Sequence, residues 1–405
     1  MAQIVDIAVI GAGNRGCKYL SLLAQMPCHV RIAAVVEPNP RRAAKASAIL
    51  VEAGLPDAPV FASCSEMMQN ISPQAAVIAT PEQLHHKQAM ELLDKGVNIL
   101  IEKPVAVTEE QCREIAEKAA RNGLVAGVCH VLRYHPYFAK LCSLATDGSL
   151  GEVVSVSHRI SVGIDRACHT FVRGPWGKPA LTSPMLLSKC CHDMDIITAI
   201  VQSRAAVVRS VGGRCFFRSE NRPAAAADRC VSCPVERNCS FSAVDLYRRR
   251  REWTAGFDPA PGDTLESEVN RQLAEGEYGR CVFACDNEAV DRQVVIAGFE
   301  NGAVASLTMN LFTAEDNRDT HICLTGGEIR GNGEIIEAVP LRGDKAIYDY
   351  SDIASKPYHA GADNAVLEDF IEAVRNPEHK MLTNIAESIE SHRICILADR
   401  NLDEV

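Results

Sequence analysis

The chain has 405 residues, of which 47% are hydrophobic and 23% charged, so it can bury the cores of two or three domains and is neither disordered nor fibrous. Its 42 Lys and Arg residues against 52 Asp and Glu residues give a formal net charge of -10. Such a charge repels phosphate backbones and anionic lipid, so we expect no nucleic-acid partner and no membrane partner.

The first third of the chain alternates apolar strand-like runs with helix-like segments. The run Ile4 to Ile10 leads into the glycine-rich sequence GAGNRG (11–16), and a second run, Ile32 to Val36, ends at Glu37. Later pairs continue the alternation: strands 75–79 and 98–101, and helices 41–52, 85–95 and 109–122. This order predicts an α/β domain, residues 1–125, with a doubly wound parallel sheet of the Rossmann type.

Beyond Val125 the pattern changes to alternating apolar and polar residues. Strand-like segments occupy 152–160, 206–212, 294–299, 303–310 and 321–324, and the chain ends in helices at 364–375 and 384–398. We therefore predict an α+β domain at 126–360 with a large, mostly antiparallel open sheet. Residues 361–405 should form helices that pack back on the core.

The glycine-rich sequence follows a predicted strand and precedes a predicted helix. In that context it brings a dinucleotide pyrophosphate close to the helix N-terminus, which predicts cofactor contacts from Gly11, Gly13, Asn14, Arg15 and Gly16. Glu37 can accept hydrogen bonds from the adenosine ribose and disfavours a 2'-phosphate, which favours NAD. Arg41 and Arg42 favour NADP unless they only form a solvated helical turn.

A lysine stands at the end of the predicted fifth strand, in the sequence Glu102-Lys103-Pro104. Ligands bind at the carboxyl ends of the strands in open parallel sheets, and Pro104 keeps Lys103 out of helical geometry. The ammonium can then project toward a nicotinamide. The alternative is an exposed lysine before a proline that starts a helix.

Several motifs together resemble the Gfo/Idh/MocA family of NAD(P)-dependent oxidoreductases, which pair a Rossmann domain with an open-sheet domain and mostly act on sugars, polyols and their derivatives. The resemblance rests on GAGNRG (11–16), Thr80-Pro81 with His85, Glu102-Lys103-Pro104, Arg133-Tyr134, and MLLSKCCHDMD (185–195). It implies that Lys103, His192 and Asp195 meet at the substrate. It also implies cofactor contacts from Thr80, Pro81, His85, Glu102 and Lys103.

One position departs from the family pattern. Many members carry an aspartate four residues before the histidine, where this chain has Ser188, and Lys189 follows directly. A mechanism that uses this carboxylate is therefore in doubt here, and Lys189 can supply a second cation. The alternative for His192 is a core histidine.

Oxidation of a secondary alcohol requires a base for the hydroxyl proton while the hydride leaves. His192 has a side chain that titrates near neutral pH, and Lys103 can stabilise the developing alkoxide. Basic and hydrogen-bonding residues nearby suit a polyhydroxylated or anionic substrate. The predicted substrate contacts are Arg133, Tyr134, Arg166, His169, Arg173, Lys189, Asp193 and Asp195. Arg173 can equally be an internal salt-bridge partner.

A cysteine cluster, Cys230, Cys233 and Cys239, lies in a long irregular stretch. With Cys285 or Cys281 as a fourth ligand, it matches a structural zinc site that replaces a missing apolar core. The alternatives are free buried thiols or a disulfide.

The sequence thus predicts an NAD-dependent enzyme that takes a hydride from a ring hydroxyl, C3 being one candidate position, of a sugar or glycoside. We expect a hexose or hexoside as the substrate. Two alternatives remain: a redox-neutral glycosidase or lyase that works through transient C3 oxidation, and a cofactor-binding regulator without catalysis. We expect a cytoplasmic protein, because no signal sequence or membrane-spanning run is seen. We also expect a homo-oligomer, a dimer or a tetramer.

Overall fold

The N-terminal strands form a six-stranded parallel sheet in the order β3-β2-β1-β4-β5-β6. The computed structural model describes residues 3–260, 262–354 and 360–405. The strands of this sheet are β1 (Val5–Ile10), β2 (Val30–Val36), β3 (Val60–Phe61), β4 (Ala75–Ile78), β5 (Asn98–Ile101) and β6 (Ala126–Val128). The central strands are apolar at nearly every position because helices cover both faces of the sheet.

Five helices connect these strands: α1 (Asn14–Leu23), α2 (Pro40–Glu52), α3 (Cys64–Asn70), α4 (Glu82–Asp94) and α5 (Glu109–Arg121). Side-chain caps fix where several of them begin. Asn39 caps α2, Ser63 caps α3 and Thr108 caps α5, each by accepting a backbone N–H of the first turn. The strand order, with β1 at the centre and the crossover between β1 and β4, is that of a Rossmann domain.

The second sheet has nine strands in the order β14-β13-β12-β11-β7-β10-β9-β8-β15. All neighbouring strands are antiparallel except the pairs β7–β10 and β8–β15. The strands are β7 (Val153–Gly163), β8 (Ala205–Gly213), β9 (Arg292–Phe299), β10 (Val304–Thr313), β11 (Asn317–Leu324), β12 (Gly327–Gly331), β13 (Ile335–Pro340), β14 (Ala346–Asp349) and β15 (Leu402–Glu404). One face of the sheet packs on helices and the other is open.

The remaining helices are α6 (Pro136–Thr146), α7 (Ile164–Arg166), α8 (Met185–Val201), α9 (Leu265–Ala274), α10 (Ser351–Ala354), α11 (Ala362–Arg375) and α12 (Ile385–Arg400). Helix α8 is apolar around most of its circumference and is buried against the second sheet, α6 and α12. Helix α11 instead joins the core of the first domain through Val366, Leu367 and Phe370. The two C-terminal helices therefore pack on both domains.

A long insertion, residues 214–291, separates β8 from β9. It holds two small aromatic clusters, one around Tyr247, Phe257 and Tyr278, the other around Phe217 and Phe283. It also contains α9 and a π-helical turn at Val244–Arg249. The insertion thus has an apolar core of its own.

The predicted fold class is confirmed: a parallel Rossmann sheet precedes a mostly antiparallel open sheet. The first sheet continues to Val128, so it takes in the start of the segment that the sequence assigned to the second domain. Among the described residues, no helix combines the length and the apolar character needed to cross a bilayer.

Candidate active site

The glycine-rich turn between β1 and α1 has the tight geometry that its sequence predicts. Gly11 has φ +90, and a Cβ on Gly16 would lie 1.8 Å from the carbonyl oxygen of Gly11. Neither position tolerates a side chain without rearrangement. A Cβ on Gly13 would meet no described atom within 4 Å. The turn is therefore closed on its inner side and open at Gly13, next to Asn14 at the start of α1.

Glu37 lies at the end of β2 and braces this turn. Its Oε2 accepts the backbone N–H of Ala12 at 2.8 Å, and its Oε1 accepts that of Asn39 at 2.9 Å. The side chain is 7% exposed. Each carboxylate oxygen keeps a further lone pair, so Glu37 can also accept a ribose hydroxyl.

Arg15 is engaged within the protein, where we had expected a cofactor contact. Its guanidinium donates to Glu102, Tyr19 and Asp363, which link α1 to the end of β5 and to α11. Although burial opposes ionisation, Arg15 and Lys103 hold the pKa of Glu102 below its ordinary value.

The loop after β4 contributes the Thr80-Pro81 pair and His85. Pro81 precedes α4, and the hydroxyl of Thr80 donates to Gln88 at 2.5 Å. The buried ring of His85 lies between the carbonyl oxygens of Thr80 and Pro104, at 2.8 and 2.9 Å. His85 therefore ties together the loops that follow β4 and β5, at the edge where cofactors bind in such sheets.

Lys103 extends from the end of β5 to helix α8 of the second domain. Its ammonium donates to the carbonyl oxygen of Ser188 at 2.5 Å. At the position where many family members have an aspartate, this chain therefore contacts the lysine through the backbone oxygen of Ser188. The hydroxyl of Ser188 donates to the carbonyl oxygen of Met185. His392 of α12 holds the loop that follows β5, because its Nε2 accepts the backbone N–H of Val105 at 3.0 Å.

His192 lies one helical turn after Ser188, half-buried on the same face of α8. Its Nδ1 is 3.4 Å from Nδ1 of His130, whose ring follows β6. The Nε2 of His130 is 3.9 Å from Asp195, and Asp195 is 3.7 Å from Arg133. These side chains form a buried polar row beside the two predicted catalytic residues.

Burial decides the protonation of this row. It raises the pKa of Asp195 to about 7 against the opposing effect of Arg133. It also lowers the pKa of His130, with contributions from His392, Arg133 and Lys103. Burial therefore favours the neutral ring of His130, which lies beside the ring of His192 as a hydrogen-bonding neighbour.

Lys189 is half-buried one residue before Cys190. Burial, followed by the nearby Arg166 and Arg318, lowers the pKa of Lys189 to about 7. Arg166 itself pairs with Asp316 at 2.7 Å and lies over the ring of Trp253. The expected cations are thus present around α8, and Arg318 adds one that the sequence analysis missed.

Two predicted substrate residues have internal roles. The hydroxyl of Tyr134 donates to Asp369 of α11 at 2.5 Å and packs in the core of the first domain. The carboxylate of Asp193 is fully buried between Arg318 and His158. Both side chains have partners inside the fold, and a contact of either with a sugar stays a prediction.

His169 and Arg173 also belong to the interior. His169 stacks on Tyr278 and bonds to Tyr247, and burial lowers the pKa of His169 to about 4. Arg173 is 4% exposed and donates to the carbonyl oxygens of Arg280 and Phe241. The two residues hold the insertion against the second domain, so the internal alternative applies to Arg173.

The structural zinc site is not supported. Within residues 3–260, 262–354 and 360–405, no group of three or more His, Cys, Asp or Glu side chains is arranged to hold a metal ion. A cavity of about 20 Å³ is lined by thiols, those of Cys230, Cys233, Cys239 and Cys281. Cys285, the expected fourth ligand, instead donates to the carbonyl oxygen of Cys281. The aromatic clusters and Arg173 stabilise the insertion, the role that we had assigned to a metal.

The sequence analysis missed two histidines of the candidate site, His130 and His392. His130 comes directly after Val128 and Cys129, at the carboxyl end of β6, and this position is a signal that could have been used. His392 lies on a C-terminal helix, and nothing in its local sequence indicates its contact with Val105.

The match to a known family lies in the first domain. Residues 5–130 match the model of the oxidoreductase family with an NAD-binding Rossmann fold, Gfo/Idh/MocA. The first domain is therefore similar to the NAD-binding domain of that family. The matched segment includes the glycine-rich turn, Glu37, Lys103 and His130.

Among curated relatives, the inositol 2-dehydrogenase of Arthrobacter sp. (strain FB24) is 29% identical over 232 residues, which cover 56% of this chain and 62% of that protein. The alignment with the inositol 2-dehydrogenase of Streptomyces avermitilis covers 52% of that protein. The chain thus spans only about half to three fifths of the length of these relatives.

Solved structures share the fold over nearly the whole chain. UDP-N-acetylglucosamine 3-dehydrogenase GnnA from Acidithiobacillus ferrooxidans has a TM-score of 0.64 at 16% identity and covers 99% of this chain and 98% of its own. An oxidoreductase from Agrobacterium radiobacter, in complex with NAD+, L-tartaric acid and magnesium, has a TM-score of 0.70 at 14% identity and covers 98% and 96%. The chain therefore shares the two-domain fold of these structures.

Proposed function

We propose that this protein is an NAD-dependent oxidoreductase that removes a hydride from a hydroxyl-bearing ring carbon of a sugar or glycoside. The observation that carries the proposal is the bond from Lys103 to the carbonyl oxygen of Ser188. It joins the end of the Rossmann strand β5 to the helix turn that leads to His192. A base and an electrophilic ammonium thus stand at the edge of the sheet where a nicotinamide binds.

The first domain fits a dinucleotide. The closed inner side of the turn at Gly11 and Gly16 and the open side at Gly13 leave backbone N–H groups of α1 facing an accessible surface. Gly11, Gly13, Asn14 and Gly16 would hold the pyrophosphate, and Glu37 the ribose. NAD supplies the hydride acceptor when it is bound. Glu37 supports NAD over NADP, because a buried carboxylate repels a 2'-phosphate.

The residues of this chain divide the proton chemistry between them. His192 takes the proton of the substrate hydroxyl, and the neutral ring of His130, 3.4 Å away, orients the ring of His192. Lys103 exchanges its bond to Ser188 for the substrate oxygen and stabilises the alkoxide that develops there. Ser188 carries no carboxylate, so the ammonium is free of a direct anionic partner on α8.

The substrate class follows from the groups around α8. Arg133, Arg166, Lys189 and Arg318 offer donors to ring hydroxyls or to an acidic substituent. The names of the inositol 2-dehydrogenases and of UDP-N-acetylglucosamine 3-dehydrogenase support a substrate of the sugar type. We retain a hexose or hexoside as the substrate and treat inositols as the comparison.

A dimer through the open sheet accompanies this proposal. Strands β8, β9 and β10 expose a row of apolar side chains on one face: Val207, Val211, Val294, Ile296 and Val304. Contiguous apolar faces of this kind are typical of association surfaces. Sedimentation of wild type and of Ile296→Glu tests the dimer, which the charge should dissociate.

The function is tested by following NADH and glycoside cleavage together, with aldoses, aryl glycosides, uronic acids and inositols as substrates. Net accumulation of NADH with a pyranose supports the dehydrogenase. Release of an aglycone without NADH accumulation contradicts net oxidation and indicates the redox-neutral enzyme. Neither signal with any substrate, despite NAD binding, contradicts catalysis and indicates a regulator.

A further inference from the structure

The insertion of the second domain reaches the cofactor side of the Rossmann domain. Asp258 lies after the aromatic cluster of the insertion, and its Oδ2 is 3.5 Å from Nε of Arg42 in the first turn of α2. A Cβ on Gly256 would lie 3.5 Å from the side-chain amide of Asn14, at the glycine-rich turn. One short segment, residues 253–258, therefore lies beside both ends of the predicted cofactor site.

The first turn of α2 is the place where a 2'-phosphate would have to bind. An arginine near the end of β2 accommodates this phosphate in NADP-binding Rossmann domains. Arg42 stands five residues after Glu37 and has the reach and the charge for that role. The side chain of Arg42 is 46% exposed and that of its partner Asp258 is 38% exposed, so the ion pair is accessible to a ligand at the domain boundary.

The backbone donors of this turn are already used. Asn39 donates its N–H to Glu37 at 2.9 Å, and its side-chain oxygen accepts the N–H groups of Arg41 and Arg42 at 3.0 and 3.4 Å. A helix N-terminus that would attract a phosphate is thus capped by the protein itself. The guanidinium of Arg42 remains as the group that a phosphate could recruit.

A second acid of the insertion lies near the other arginine. Arg271 chiefly, and Arg41 more weakly, hold the pKa of Glu268 below its ordinary value. Glu268 is bonded to Arg271 within the insertion. Arg42 is therefore the arginine of the α2 turn that pairs directly with a carboxylate of the insertion.

We propose that Asp258 is a specificity-determining residue for the cofactor, which occupies Arg42 in place of a 2'-phosphate and so makes the insertion part of the wall that selects NAD. The proposal rests on the proposed dinucleotide function. Glu37, inside the Rossmann domain, favours NAD over NADP in the proposed function. Asp258 adds a second residue with this effect from outside that domain. Removal of the Asp258 charge should release Arg42 and admit NADP.

The experiment measures dissociation constants of NAD+ and NADP+ for the full-length protein and for Asp258→Asn. The expected result is a ratio of NADP to NAD dissociation constants that falls about fivefold, the size of effect that an exposed ion pair supports. Asp263→Asn is the matched control, because it removes the same charge from the same insertion beside Arg271. Its ratio should equal that of the wild type.

The double variant Arg42→Ala/Asp258→Asn separates the mechanism from a general change in charge. Without Arg42, the substitution at Asp258 should no longer alter the ratio. An unchanged ratio in Asp258→Asn, with NAD binding intact, would overturn this inference alone. An equal shift with and without Arg42 would also overturn it. If the wild-type protein bound neither dinucleotide, the proposed function itself would fail.

Discussion

The ammonium of Lys103 and the carbonyl oxygen of Ser188 lie 2.5 Å apart, across the boundary between the Rossmann domain and helix α8. This bond brings the end of β5 onto the helix face that presents His192. Because the two groups come from different domains, the distance between them depends on how the two domains pack against each other.

Substitution of Lys103 or His192 by Ala should lower kcat about 100-fold or more in each case, since one stabilises the alkoxide and the other removes the proton. The fall in kcat of the double variant should be much smaller than the product of the two single falls, because the two groups act on the same step. His321→Ala, on strand β11 and bonded to Glu328, is the control. Near-normal turnover of His192→Ala would assign the base to another group, with Lys189 the next candidate.

Substitutions of two glycines in the same turn should have different effects, one on stability and the other on NAD binding. Gly16→Ala should lower Tm, because the new Cβ would lie 1.8 Å from the carbonyl oxygen of Gly11. Gly13→Ala should keep the Tm of the apoprotein but weaken NAD binding, since its added methyl would fill the open side of the turn. Calorimetry with and without NAD measures both. A normal NAD affinity in Gly13→Ala would place the pyrophosphate elsewhere.

Glu37→Ala should weaken NAD binding about tenfold, the effect of losing a hydrogen bond to a charged acceptor, and should narrow the preference over NADP. The variant also leaves the N–H groups of Ala12 and Asn39 without their acceptor. Glu52→Ala, at the exposed end of α2, controls for loss of charge. Tight NADP binding by the wild type would refute the assignment.

Asp195 should make stability fall as pH rises. Burial raises its folded pKa to about 7, while the carboxyl of the unfolded chain titrates near about 4, so the folded state binds the extra proton between these values. The destabilisation that results from ionising buried Asp195 is absent below about pH 4 and complete above about pH 7. In Asp195→Asn this slope, at most about 1.4 kcal/mol per pH unit, should disappear from the free energy of unfolding. Parallel curves for the variant and the wild type would show that Asp195 does not titrate in this range.

The Arg173→Met variant should loosen the insertion and leave the Rossmann domain intact. It removes the donors to the carbonyl oxygens of Arg280 and Phe241 from a buried site, which costs about 2–4 kcal/mol. Hydrogen exchange should rise within residues 214–291 and stay unchanged in β1 and β4. Faster exchange spread evenly over both domains would contradict a local role. Arg159→Met, on an exposed pair with Asp319, serves as the control.

The sequence was most informative where local pattern determines structure. Strands β1, β4 and β5 are apolar runs because both faces of a parallel sheet are covered, and the turn at Gly11 has only one compatible geometry. Strands β12 to β15 were missed because they are short and half-exposed. The aromatic core of the insertion was missed because its members meet only through long-range contacts.

Side-chain partners were the least predictable feature of the site. Tyr134 bonds to Asp369, which lies 235 residues away in the sequence, and Asp193 bonds to Arg318, 125 residues away. Nothing near Tyr134 or Asp193 indicates these partners, so both were taken for substrate contacts. The roles predicted for Lys103 and His192 come from the family resemblance, and the contact of Lys103 with Ser188 became visible only in the structure.

The central claim is that this chain moves a hydride between a sugar ring carbon and NAD, and single-turnover isotope transfer tests it most directly. The enzyme is mixed with NAD+ and a pyranoside deuterated at each ring carbon in turn, and the nicotinamide is then examined for deuterium. We expect transfer from one ring position, abolished in His192→Ala, whether or not NADH accumulates afterwards. Absence of deuterium in the nicotinamide for every labelled sugar and inositol, with NAD bound, would contradict the claim.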